Sequence, residues 1–109
     1  MEYEVACKAL KGAAEILEKN GWCRESEALD KDGNEVGPRS DEAVAFCALG
    51  AISRWLWENE ENVWGVIGEV LFHVQEHGDQ IVNFNDDVAE DKGEVQNFLI
   101  GLAEGESQL

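Results

Sequence analysis

Two histidines and a glutamate stand in His73-Val74-Gln75-Glu76-His77, the H-x-x-E-H spacing. On a helix it puts two imidazoles on one face with a carboxylate beside them. In the inverted zinc-protease arrangement the imidazoles hold the metal and the glutamate acts as general base. That chemistry also needs a further downstream ligand and a substrate cleft, yet only 32 residues follow His77. Asp86, Asp87 and Glu90 are the available third ligands. A structural role competes and is preferred: His73 flanks an apolar helix face, and His77 at a helix end complements the dipole as an imidazolium. No metal ligand is assigned.

Cys7, Cys23 and Cys47 show no C-x-x-C spacing, and a zinc site built from them would need a further ligand such as His73. Cys47, among small residues, reads as a buried hydrophobe. A nucleophilic Cys47–His73 pair is the alternative, but nothing supplies an oxyanion site for it. Asn85-Asp86-Asp87 offers three oxygen ligands without the D-x-D-x-D-G spacing of a calcium loop, so turn formation and helix capping explain it better. The glycines are scattered, with no phosphate-cradling loop, and no Ser-His-Asp order is found. The chain therefore reads as a non-enzyme with no catalytic residue and no cofactor.

The elements that would position these groups follow from apolar spacing. Residues 3–20 predict a helix with Ala6, Leu10, Ala13 and Leu17 as one stripe. Asn20-Gly21 supplies a left-handed stop, and Trp22 is placed to fold back on the last turn. Residues 23–39 are a turn-rich insertion, either a loop or a small hairpin around Asp32-Gly33. Ser40 then predicts the N-cap of a helix over 41–58, with Val44, Cys47, Ala51 and Trp55 buried and Ala43, Phe46 and Leu56 beside them. A third helix is expected over 61–77, followed by an extended stretch from Gln80 to Phe84. A last helix over 91–104 carries an Asp91–Glu94 capping box. The fold class expected is mainly α: a compact four-helix domain over residues 1–109.

Several of these residues form a familiar order. Gly21-Trp22-Cys23 is followed by Asp32-Gly33 and Pro38-Arg39-Ser40, then by the run Ala43 to Ile52 containing Cys47-Ala48-Leu49-Gly50-Ala51. Ile81-Val82-Asn83-Phe84-Asn85-Asp86 and Glu94-Val95 come later. The chain resembles a domain of unknown function found in bacteria and their phages, whose landmarks are G-W, C-x-L-G-A, I-x-x-W-N-D and a final E-V helix. The resemblance covers residues 9 to about 103 and carries no activity. Phe84 stands where that family has tryptophan, and Glu90-Asp91 stand where it tends to have an Arg-Thr pair. That second change reverses the local sign, against any anion-binding role.

Charge ranks the partners. The chain has 24 acids against 8 bases, net −16, and residues 41–109 hold fifteen of the acids and two of the bases. Polyanion sites need clustered Lys and Arg, so direct binding of nucleic acid is not expected, nor is an anionic membrane surface. A basic protein surface is the natural complement, including the groove of a nucleic-acid-binding enzyme of host defence. Sixteen charges match roughly 27 Å of duplex at one charge per about 1.7 Å. The sequence thus predicts a phage- or mobile-element-associated adaptor, or an inhibitor of a host or phage protein acting by nucleic-acid mimicry in an anti-CRISPR or anti-restriction role. The expected contact residues are Glu58, Glu60, Glu61, Asp86, Asp87, Glu90 and Asp91, with Trp57 as an aromatic anchor. A small metal- or thiol-dependent enzyme using His73, Glu76 and His77, or Cys47, is the alternative. An odd cysteine count without a charged-then-apolar leader implies a cytoplasmic setting. The sequence leaves the oligomeric state open.

Overall fold

The computed structural model describes residues 2–59, 81 and 84–107, with side chains described over 7–59, 81 and 84–104. Helix α1 (Glu2–Lys19) supplies the central apolar face. Leu10, Ala13 and Leu17 are fully buried, joined by Ala9, Ala14 and Ile16. The helix packs against both α2 (Ala48–Glu58) and α3 (Lys92–Ser107). Close approach of α1 and α2 depends on Gly12, where an added Cβ would overlap the Trp55 ring. The buried faces of α2 and α3, Ala51, Ile52 and Leu56 against Val95, Leu99 and Ala103, complete the core.

Between α1 and α2 the chain builds a three-stranded sheet of very short strands: β1 (Gly21–Trp22), β2 (Ala28–Leu29) and β3 (Ala45–Phe46). β3 lies in the middle, parallel to β1 and antiparallel to β2. Residues 28–36 close as a small hairpin. Leu29 bridges Glu35, and the Val36 N–H donates to the Ala28 carbonyl at 3.1 Å. Asp30 Oδ1 accepts from the backbone N–H of both Asp32 and Asn34, and Gly33 takes φ +85°, the left-handed geometry the turn needs. The protein is mainly helical, with this small sheet set into it.

Several expectations need correction. The helix expected over 41–58 begins seven residues late, and Cys47 rather than Ser40 is its N-cap. Ala45 and Phe46 are held in the sheet: the Val44 carbonyl accepts from Gly21, the Phe46 carbonyl from Cys23, and the Val44 N–H donates to Leu29. A helix from residue 41 would leave those partners unpaired beside the core, which the backbone does not tolerate. The shift also changes the face: Val44, expected buried, is 45% exposed, whereas Phe46 is fully buried.

The remaining corrections are local. Gly21 does not turn left-handed. It enters β1, where a Cβ would lie 3.2 Å from that of Ala45, so close strand approach explains it. Trp22 joins the sheet, and its side chain packs against the core that Ile16 and Leu17 of α1 help to form. The extended stretch from Gln80 to Phe84 is absent among its described residues: Ile81 is helical and buried, and Phe84–Val88 is a π-helical turn closed by Ala89 N–H to the Phe84 carbonyl. Here an i→i+5 bond absorbs one extra residue and turns Asn85 inward. The helix expected over 61–77 lies outside the described residues.

Two glycines give opposite predictions. At Gly50 an added Cβ would overlap the Glu27 carbonyl oxygen, whereas at Gly101, exposed within α3, nothing lies within 4 Å. Gly50→Ala should destabilise by about 2–3 kcal/mol. Gly101→Ala should stabilise by about 0.5–1 kcal/mol through lower unfolded-state entropy and better helix propensity. Urea unfolding midpoints of the two variants check the opposite signs.

Candidate functional site

Asn85 is 1% exposed, and its carboxamide makes four hydrogen bonds. Oδ1 accepts from Trp22 Nε1 at 2.7 Å and from the Ala48 backbone N–H at 3.0 Å. Nδ2 donates to the Cys23 carbonyl at 3.1 Å and to Asp86 Oδ1 at 2.9 Å. The position of these bonds explains their role. In the β1–β3 register, Cys23 follows Trp22 as Cys47 follows Phe46, and the next rung would join the Cys23 carbonyl to the Ala48 N–H. The Asn85 amide occupies that rung. It extends the ladder by one unit, satisfies an orphan N–H in the first turn of α2, and ties the π-turn to both.

Around this hub lies a pocket of about 180 Å³ lined by Glu25, Ser26, Glu27, Cys47, Leu49, Asn85 and Asp86. Asp86 Oδ1 also accepts from the Glu25 N–H at 2.9 Å, which holds Glu25 at φ +66°, an uncommon conformation for a residue with a side chain. The Cys47 N–H donates to the Glu27 carbonyl, and its Sγ accepts from the Gly50 N–H at 3.3 Å, so the thiol serves as the cap of α2. Cys23 Sγ donates to the Ser26 carbonyl at 3.3 Å. Burial pushes the Cys23 thiol up to about 11, with nearby Cys47 and Asp86 adding to it. Burial also raises Cys47, outweighing the lowering by backbone N–H groups of Gly50 and Leu49. Both thiols are protonated at neutral pH, unlike an activated nucleophile.

The acidic residues expected to form one rim divide into two places. Glu58 stands in the last turn of α2, paired with Arg54 at 2.8 Å. Trp57 is 40% exposed, with the Arg54 guanidinium 5.4 Å from its ring centroid. Asp86 adjoins Asn85 at the opposite end of α2, about 15 Å away along an axis rising 1.5 Å per residue. Asp87, Glu90 and Asp91 are exposed and follow it. Asp91 Oδ1 accepts from the Glu94 N–H at 2.9 Å, and Glu94 Oε1 reaches back to the N–H of Glu90, one residue before Asp91, at 3.1 Å; together they cap α3. Glu60, Glu61, His73, Glu76 and His77 lie outside the described residues. Among the described residues, no group of three or more His, Cys, Asp or Glu is placed to hold a metal ion.

The cations have a different duty. Arg24 donates to the Ala89 carbonyl and lies 5.0 Å over the Trp22 ring. Arg54 donates to the carbonyls of Pro38 and Ser40 as well as to Glu58, and Lys92 donates to the Asn20 carbonyl. Three of the eight bases thus brace loops and helix ends through backbone oxygens.

The model of a family of unknown function, DUF6197, matches residues 1–104. The chain belongs to DUF6197. No curated protein and no solved structure matches it. In this DUF6197 chain the landmark residues converge: Trp22, Ala48 after Cys47, and Asn85 meet through the carboxamide, and Gly50 lets Glu27 cross the start of α2. Phe84 stacks on Phe98 with centroids 4.2 Å apart. Nothing in the spacing of Trp22, Cys23, Cys47 and Asn85 marks them as neighbours. In the sequence Asn85 reads as a turn or capping residue, an oxygen ligand, or part of a landmark run, and none of these places it beside Trp22 and Cys23.

Two predictions follow from this geometry. Asn85→Ala leaves the Ala48 N–H, Cys23 carbonyl and Trp22 Nε1–H without their partner, so it should cost about 3 kcal/mol or more in urea unfolding. Because the folded-state Cys23 thiol titrates above its unfolded value, it contributes stability in full below the unfolded pKa. That contribution is lost as pH rises from about 9 towards about 11. Cys23→Ser should flatten the alkaline fall of a thermal-unfolding profile across that interval.

Proposed function

We propose that this DUF6197 protein is a small acidic protein-binding module, an adaptor or inhibitor that docks on a basic protein surface in the cytoplasm. The observation carrying this reading is charge left without cations. Eight bases cannot match 24 acids, and Arg24, Arg54 and Lys92 are further engaged by backbone carbonyls. A net −16 on a 12.1 kDa chain gives long-range attraction towards Lys- and Arg-rich surfaces, which raises encounter rates and fixes orientation. A groove that ordinarily holds nucleic acid is one such surface, and mimicry of a duplex, in an anti-defence role, is the finer form of the proposal, in keeping with the phage association that the resemblance implies. Asp87, Glu90 and Asp91 are the favoured contacts, with Glu58 and Trp57 forming a separate contact at the other end of α2. Among the described residues no helix is long and apolar enough to cross a membrane.

Exposed Asp87 and Glu90 make no side-chain bond that α3 depends on, so the double variant Asp87→Lys/Glu90→Lys should fold normally. Immobilised wild-type chain should retain a Lys/Arg-rich, nucleic-acid-binding partner from lysate at low salt and release most of it by about 0.2 M, where the Debye length falls below about 8 Å. The double variant should retain about tenfold less, since two reversed charges remove several unit-charge interactions at once. Equal retention by both forms, indifferent to salt, would refute docking through this acidic segment.

A further inference from the structure

We propose that Cys23 and Cys47 form a two-thiolate site for a soft, closed-shell monovalent cation of the Cu(I) class, approached through the pocket beside α2. The placement comes from the ladder. Gly21 pairs with Ala45 and Trp22 with Phe46, and the Cys23 N–H still donates to the Phe46 carbonyl at 3.1 Å. Cys23 and Cys47 are therefore the next matched pair on neighbouring parallel strands, and matched residues project to the same face of a sheet. Cys47 lines the pocket, and Cys23, its neighbour across the ladder, is 7% exposed.

The spacing of the strands admits a cation held by two sulfurs. Neighbouring strands run about 4.7–4.9 Å apart. Two metal–sulfur bonds of about 2.3 Å in line span about 4.6 Å, a separation that thiols on strands so spaced reach by rotation about χ1, with Cys23 Sγ leaving the Ser26 carbonyl while Cys47 Sγ can keep the Gly50 N–H.

Charge points the same way. Glu25, Glu27 and Asp86 line the entrance. Their carboxylates disfavour a bare thiolate and repel anionic reagents, but they attract a cation and stabilise the thiolates once it is bound. Binding replaces each thiol proton with a share of the metal, releasing two protons to solvent. A two-sulfur set without a third ligand suits a soft, low-coordinate ion, whereas zinc takes four ligands in structural sites.

The test uses the full reduced chain, kept anaerobic and titrated against Cu(I) held as its bicinchoninate complex. Wild type and Cys7→Ser should each withdraw a single equivalent of copper, while Cys23→Ser and Cys47→Ser should each lose more than about a hundredfold in affinity, since a direct ligand is removed. X-ray absorption of the copper-loaded wild type should show two sulfur neighbours and no nitrogen or oxygen, a readout that stands even if a serine variant fails to fold. No copper withdrawn by the wild type, a requirement for Cys7, uptake undiminished in folded Cys23→Ser and Cys47→Ser, or a shell of three or more ligands would each overturn the proposal.

Discussion

The side-chain amide of Asn85 stands in for a peptide group. Placed where two very short parallel strands would otherwise end, it accepts the Ala48 N–H and donates to the Cys23 carbonyl as a further rung would. Two-residue strands contribute little on their own, and an isolated ribbon of that length would not persist in water. The carboxamide gives the sheet its extra unit and joins three separate segments: the strand after α1, the first turn of α2 and the π-turn before α3. All four of its hydrogen-bonding positions are satisfied at a site closed to water, the condition under which a buried polar group adds definition to a fold rather than weakening it.

The surrounding features depend on that hub. Asp86 is held beside Asn85, so its second bond, from the Glu25 N–H, shapes the loop that walls the pocket. Glu27 crosses α2 at Gly50 because no side chain is there to prevent it, and this brings its carbonyl to the Cys47 N–H. The exposed acids Asp87, Glu90 and Asp91 leave the hub in a defined direction, anchored by buried Ala89 and by the cap of α3 at their far end. The thiol pair and the acidic segment are thus set by one interaction, although the chemistry suggested for each is different.

Helical parts of this chain were legible because their signal is periodic. The Leu10, Ala13, Leu17 stripe is buried, and Asp91 caps α3 through the Glu94 N–H. The sheet was not legible. Ala45-Phe46 is too short to show alternation, and its neighbours Ala43 to Ala51 match a helical pattern equally well, so the strand was absorbed into a helix that starts later. What decides that boundary is pairing with Gly21-Trp22 and Ala28-Leu29, which are distant in sequence. The same limit hid the candidate site. A hydrogen bond between residues 22 and 85, or a matched pair of cysteines 24 positions apart, leaves no trace in local spacing. Composition, by contrast, needs no structure: the excess of acids over bases holds whatever the fold, and the fold adds that several bases are turned to backbone oxygens.

The most direct measurement of the Asn85 hub is native-state hydrogen exchange followed by NMR. If the carboxamide is a rung of the ladder, the Ala48 amide, the Cys23 amide and the Asn85 side-chain protons should exchange together, at the free energy of global unfolding. Exchange of the Ala48 amide and the Asn85 side chain at the rate of exposed loops, while Leu10 and Leu99 stay protected, would contradict the account.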